Sequence, residues 1–180
     1  MSFFTKYKDV LLILISAVLY FVFAYSLERT EFKTLLFLWC TLFGCFYLLI
    51  NSKTIGTSTL IALVLFFRIL FLFAIPNLSQ DFYRFIWDGR ILFEGLNPYL
   101  SLPESFIKQG TQPISDTYRL YAGMGEMNGS HYTNYPPINQ LCFLIAALLS
   151  SKSLFGSIIV LRVIIIMADI GILFFGRKLL

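Results

Sequence analysis

Residues Val10 to Leu27 form eighteen consecutive positions without a charge, and that run decides which solvent the chain must fold in. Its length approaches the roughly 20 apolar residues that a helix needs to cross about 30 Å of hydrocarbon. Lys6 and Lys8 precede it, as they would a signal peptide. The run is longer than an ordinary signal core, however, and Tyr25 and Leu27 stand where a cleavage site needs small residues, so it reads as an uncleaved transmembrane helix. The whole chain agrees. Of its 180 residues 58% are hydrophobic and 13% charged, against about 45–50% and about 25% in a soluble domain. A domain of this size buries only about two-thirds of its surface, so the surplus apolar side chains call for lipid.

Four more apolar segments follow. Thr34 to Ile50 is just long enough to span, and Ile55 to Ile75 carries one charge, Arg68, before Pro76 ends it. A segment beginning at Pro137 is apolar only to about Leu149, roughly 20 Å of helix, and extends to a snorkelling Lys152. The last, Leu154 to Phe175, contains Arg162 and Asp169 and is followed by Arg177 and Lys178. The expected fold class is therefore all-α and polytopic, with about five transmembrane helices. Three organisational blocks result: helices within 1–76, a polar segment at 77–136, and further helices within 137–180. Charge does not orient them. With the N-terminus inside, Lys6, Lys8, Lys53 and Lys152 lie on one side and Arg29, Lys33, Arg177 and Lys178 on the other, a tie under the positive-inside rule.

The net charge of +4 comes from dispersed Lys and Arg residues with no basic run, which argues against nucleic acid as a partner. Cys40, Cys45 and Cys142 lie in apolar segments without a CxxC or Cys/His cluster, so no disulfide framework or zinc site is expected. Arg68, Arg162 and Asp169 are intramembrane charges, expensive in lipid and candidates for function by default. They are equally readable as residues that satisfy one another between helices, or that meet lipid phosphates at the boundary.

The polar segment holds six acids and four bases. It opens with apolar residues at 82, 85, 86 and 93, which is helical spacing. Asp81, Arg84 and Asp88 recur at i, i+3 and i+7 and so share a face. Ser79 is a candidate N-cap, and Asp81 sits in the first turn, where the helix dipole favours a carboxylate. Gly95 and Asn97-Pro98 stop the helix. The pattern predicts an amphipathic helix lying at the membrane interface, apolar face down and charged face outward. On spacing alone the three charges could be no more than a salt-bridge stack. His131 is the one histidine, and Asn77-Leu78-Ser79 and Asn128-Gly129-Ser130 are formal glycosylation sequons.

Three motifs in order, Ser79 to Arg90, then Gly95-Leu96-Asn97-Pro98-Tyr99, then Asn134-Tyr135-Pro136-Pro137, resemble polytopic glycosyltransferases of the GT-C class. The likeness is to the bacterial mannosyltransferase-like family that uses polyprenyl-phosphate sugars, and it runs from about Arg68 to Asp169. It implies a multi-pass protein of the bacterial inner membrane with the long loop, 77–135, on the extracytoplasmic side, and that the acid at its start, Asp81, is the catalytic base. Arg84 and Arg90 would meet the leaving phosphate, since Arg binds phosphate bidentately. Trp87, Tyr99 and Tyr135 would offer flat faces to sugars, and Asp88 and Asn97 would bond sugar hydroxyls. The partners implied are a polyprenyl-phosphate sugar donor, a glycan or lipid acceptor, and membrane lipids. Gln80 stands where relatives carry a second acid, which removes support for a divalent metal, and no cofactor is expected. The class has eight or more spans, so the expectations also include an inactive N-terminal fragment of such a transferase. The competing class is a multi-pass transport or scaffold protein with no enzymatic role.

Overall fold

The computed structural model describes residues 3–150 and 152–179, all of its regular structure helical. The flanking Leu180 and the side chains of Lys6 and Arg177 lie outside the described residues. The chain divides into two compact units, Met1–Leu78 and Ser79–Leu180.

In the first unit, α1 (Phe3–Tyr25), α2 (Phe32–Ile50) and α3 (Thr57–Leu70) form a helical cluster around α1. On α2, Leu38, Leu42, Cys45 and Leu49 are buried at spacings of three and four. The opposite stripe, Leu36, Trp39, Phe43, Phe46 and Ile50, is as apolar but exposed. A helix apolar on both faces and covered on only one has lipid as its other solvent. The same heptad-like stripe is exposed on α1 at Leu11, Leu14, Val18 and Phe21. Polar pins fix the ends. Asn77 donates its amide to the Phe23 and Leu27 carbonyls at 2.9 and 2.8 Å, satisfying acceptors at the end of α1. This commits the nitrogen that the first sequon would need for a glycan. The buried Asp9 accepts hydrogen bonds from the Ser52 and Thr54 hydroxyls.

In the second unit, α4 (Asp81–Phe93) is the central element. Around it pack α6 (Thr117–Gly129), α7 (Pro137–Ser150) and the start of α8 (Leu154–Leu179), while α5 (Pro103–Lys108) packs on α6. Pro137 opens α7, where its missing N–H costs nothing. The core joins Phe82, Ile86, Trp87 and Ile91 of α4 to Leu120 and Met124 of α6 and Leu154 and Ile158 of α8. Gly89 permits the α4–α7 contact. A Cβ there would collide with the Phe143 carbonyl and lie 2.6 Å from the carbonyl carbon. Backbone has little room to yield, so Gly89→Ala is expected to destabilise the unit by about 1–3 kcal/mol, as overpacking does. A fall in the melting temperature of the detergent-solubilised protein reads it out.

This arrangement corrects the expected outward charged face of α4. Eight of the thirteen residues of α4 are buried, Arg84, Asp88 and Arg90 among them. The charged face therefore turns into protein rather than outward. Among the described residues three helices are long and apolar enough to cross a membrane, within α1, α2 and α8. The other two, α3 and α7, have 14 residues each, about 21 Å, so five spans are not established.

Candidate functional site

Asp81 stands at the first position of α4, its N–H bonded to the Ser79 hydroxyl at 3.2 Å. The N-cap is Gln80 rather than the anticipated Ser79, whose hydroxyl instead closes a local turn into the helix. The Asp81 carboxylate is half-buried. Its Oδ1 accepts the Asn128 amide at 3.1 Å, and the same nitrogen donates to the Met124 carbonyl at 3.1 Å. Among the described residues Oδ2 accepts no hydrogen bond. The result is a carboxylate held by one oxygen and open at the other.

One turn further along, Arg84 and Asp88 form a buried pair, Nε to Oδ1 at 2.8 Å. Asp88 is 0% exposed. Its Oδ2 accepts the Gln140 amide at 3.0 Å, and that amide also reaches the Thr133 hydroxyl at 3.1 Å. Arg84 Nη1 donates to the Asn128 and His131 carbonyls at 2.5 and 2.9 Å. Arg84 Nη2 and Gln140 Oε1 remain buried without a hydrogen-bond partner, and the bonds that are made tie α4, the end of α6, the 130–136 segment and α7 together. The anticipated stack of three charges is therefore realised in part: Arg84 pairs with Asp88, while Asp81 turns to Asn128.

The other anticipated contacts divide by depth. Trp87 is 1% exposed and lies in the core, its ring beside Phe106. Arg90 is likewise buried, with Nη1 donating to Ser115 and Asp116 and Nη2 to the Lys152 carbonyl at 2.9 Å. Trp87, Asp88 and Arg90 therefore have no surface on which a sugar or phosphate could rest, and Arg84 spends its charge on Asp88. Trp87, Asp88 and Arg90 thus belong to the buried frame of the site, whereas Arg84, with Nη2 unpartnered, also reaches the wall of the cavity beside it. Asn97 accepts the Tyr99 N–H at 2.9 Å and so builds a turn of its own. The Tyr99 hydroxyl donates to the Tyr135 carbonyl at 2.6 Å, which joins the second motif to the third.

Tyr135 packs edge-on against Phe85 and Phe143. Burial pushes its phenol above the ordinary value of 10.0, the Asp81 and Asp88 charges add to the rise, and Arg84 opposes it. Tyr135 thus belongs electrostatically with the acids at the head of α4. Beside them opens a cavity of about 490 Å³, walled by Arg84, Asn128, His131, Tyr132, Asn134 and Tyr135 with two neighbours. Arg68 is exposed on α3, while Arg162 and Asp169 are half-buried on α8, and none of the three is without a partner. Among the described residues no three His, Cys, Asp or Glu side chains converge.

Asn128, Gln140 and Thr133 are the site residues that sequence reasoning missed. Asn128 was visible only as part of a sequon, and its amide is committed to Asp81. Gln140 had a signal: it is a polar side chain inside an apolar helix, and such a group needs a partner.

A polar segment between apolar helices, in a chain whose regular structure is all helical, defines a helical membrane protein. The chain belongs to the MptA_B family: a family model described as alpha-(1->6)-mannopyranosyltransferase, N-terminal domain, matches residues 11–180. It is thus a membrane protein of a glycosyltransferase family. Neither a curated protein nor a solved structure matches it.

Proposed function

We propose that the chain carries the catalytic base of an integral-membrane glycosyltransferase. The enzyme moves a hexose, mannose, from a polyprenyl-phosphate donor to a glycan or lipid hydroxyl, with the 77–135 segment on the extracytoplasmic side of the inner membrane. The observation that carries this reading is the Asp81 carboxylate, anchored through Oδ1 by Asn128 at 3.1 Å and open at Oδ2, in a chain of mannosyltransferase family.

The chemistry balances in one step. The acceptor hydroxyl gives its proton to Asp81 Oδ2 while its oxygen attacks the anomeric carbon. The bond from that carbon to the phosphate oxygen breaks, and polyprenyl phosphate leaves with the electron pair. Fixing the carboxylate through one oxygen holds the other in the geometry that proton transfer requires. A single displacement inverts the anomeric centre. If the product is the α-linkage of the family description, the donor must be β-linked.

The test supplies membranes containing the full chain with labelled polyprenyl phospho-mannose of each anomeric form. Transfer from the β anomer alone is expected. Use of the α anomer, or of nucleotide-linked mannose with no lipid donor, contradicts the reading.

A further inference from the structure

We infer that α7 does not cross the membrane: it lies on the lipid surface at the side of the loop that precedes it, and α8 carries the chain back through. The partner is a phospholipid surface, met by the exposed stripe Ile138, Leu141, Leu148 and Leu149. The inference stands apart from the role of Asp81 and starts from one guanidinium. Arg90 Nη1 donates to the Ser115 carbonyl at 2.7 Å and to the Asp116 carboxylate, while Nη2 donates to the Lys152 carbonyl at 2.9 Å. Residues 115 and 116 belong to the loop before α6, and residue 152 follows α7. One side chain thus holds the two segments together, and a hydrocarbon core of about 30 Å cannot pass between them.

Nor does the loop sink into hydrocarbon beside α7. Helix α6 runs along α4, from Asp116 at Arg90 to Asn128 at Asp81, and exposes Asp116, Arg119 and Glu126 over that length. Charges at bilayer depth are expensive. The first half of α7 is tied to the same body, with Phe85 edge-on to Tyr135 at 4.9 Å and the Gln140 amide on Asp88 at 3.0 Å. Helix α7 therefore has protein on one face and an apolar stripe on the other along its whole length. That is the form of a helix lying in the plane of the interface.

Helix α8 differs from α7 in the way a span should. Leu154 and Ile158 root it in the loop body, and beyond Ile158 none of its described residues is buried. From there to Leu179 is about 31 Å of helix, the thickness of the hydrocarbon core. The stripe of α7 sits beside this root, where the chain enters lipid. Sidedness follows from the first unit. The Ser52 hydroxyl donates to Asp9 at 2.8 Å, the Tyr25 hydroxyl to the Leu70 carbonyl at 2.9 Å and the Asn77 amide to the Leu27 carbonyl at 2.8 Å. The 52–77 segment thus runs beside α1 and crosses with it. With α7 kept on the loop side, Lys6, Lys8, Lys53, Arg177 and Lys178 share one side, against Arg29, Lys33 and Lys152 on the other. Five against three replaces the tie, and the positive-inside rule favours the loop outside.

Single cysteines at Gln109, Lys152 and Lys178 of the full chain, all exposed positions, test the placement with a membrane-impermeant maleimide. The unsubstituted chain is the blank for Cys40, Cys45 and Cys142. Gln109→Cys and Lys152→Cys are expected to label in intact spheroplasts, and Lys178→Cys only after lysis. Lys152→Cys labelled from the side opposite Gln109→Cys, or at neither stage, overturns the placement of α7. Lys178→Cys labelled from the same side as Lys152→Cys overturns the crossing by α8. If Gln109→Cys and Lys152→Cys both wait for lysis while Lys178→Cys does not, the loop is cytoplasmic. The extracytoplasmic reading of the site then fails and the placement of α7 stands. Benzoylphenylalanine at Leu141 or Leu148, in vesicles of phosphatidylethanolamine and phosphatidylglycerol, is expected to crosslink to phospholipid. Crosslinking to protein alone identifies a different occupant of the stripe and overturns the lipid assignment.

Discussion

Asp88→Ala is expected to cost the second unit about 3–5 kcal/mol, because it leaves the Arg84 cation buried without its counter-charge. Two further losses act in the same direction. The Gln140 amide loses one of its two acceptors, and the packing of α4 against α7 loses its polar tie. A loss of that size is a large part of the stability of an ordinary domain, so the variant is expected at low abundance in membranes and with a lowered melting temperature in detergent. The double variant Arg84→Met with Asp88→Leu removes both charges together. It is expected to recover much of the stability, since apolar replacement of a whole buried pair is often neutral or favourable. Recovery of folding by the double variant identifies the pair as framework. If Asp88→Ala folds like the wild type, the burial of this pair has been misjudged.

The same pair explains how far the sequence could be read. The helix headed by Asp81, its stop at Gly95 and the helix start at Pro137 were all legible, because apolar spacing, glycine and proline act locally. The burial of α4 was not. A face bearing Asp81, Arg84 and Asp88 looks solvated in sequence, since only the tertiary structure shows that two of these charges cancel and can be enclosed. The expectation of an outward charged face followed from that one ambiguity. Likewise Trp87 and Arg90 carried residue types suited to sugar and phosphate, and the structure places both inside.

Helix α6 was harder. Gly123, Gly125 and Gly129 interrupt its sequence, and Gly125 has a φ of 77° that kinks it. A segment of this composition reads as loop, although Gly123 is needed for the close approach of the Tyr83 ring. Missing α6 meant missing Asn128, and with it the group that orients Asp81. The apolar segments were found by length and composition, and all five are helical in the structure, α3 and α7 with 14 residues each.

The account turns on Asp81, and the most direct measurement is the rate of mannosyl transfer by Asp81→Asn in the full chain. Membranes matched for protein abundance would be supplied with the β-linked lipid donor. Asn preserves the size of the side chain and can still meet Asn128, while removing the capacity to take a proton. Loss of a general base costs about 10²–10⁴-fold in rate, so transfer is expected to fall by that factor with the protein still folded and the acceptor KM little changed. Transfer by Asp81→Asn at close to the wild-type rate would contradict the account.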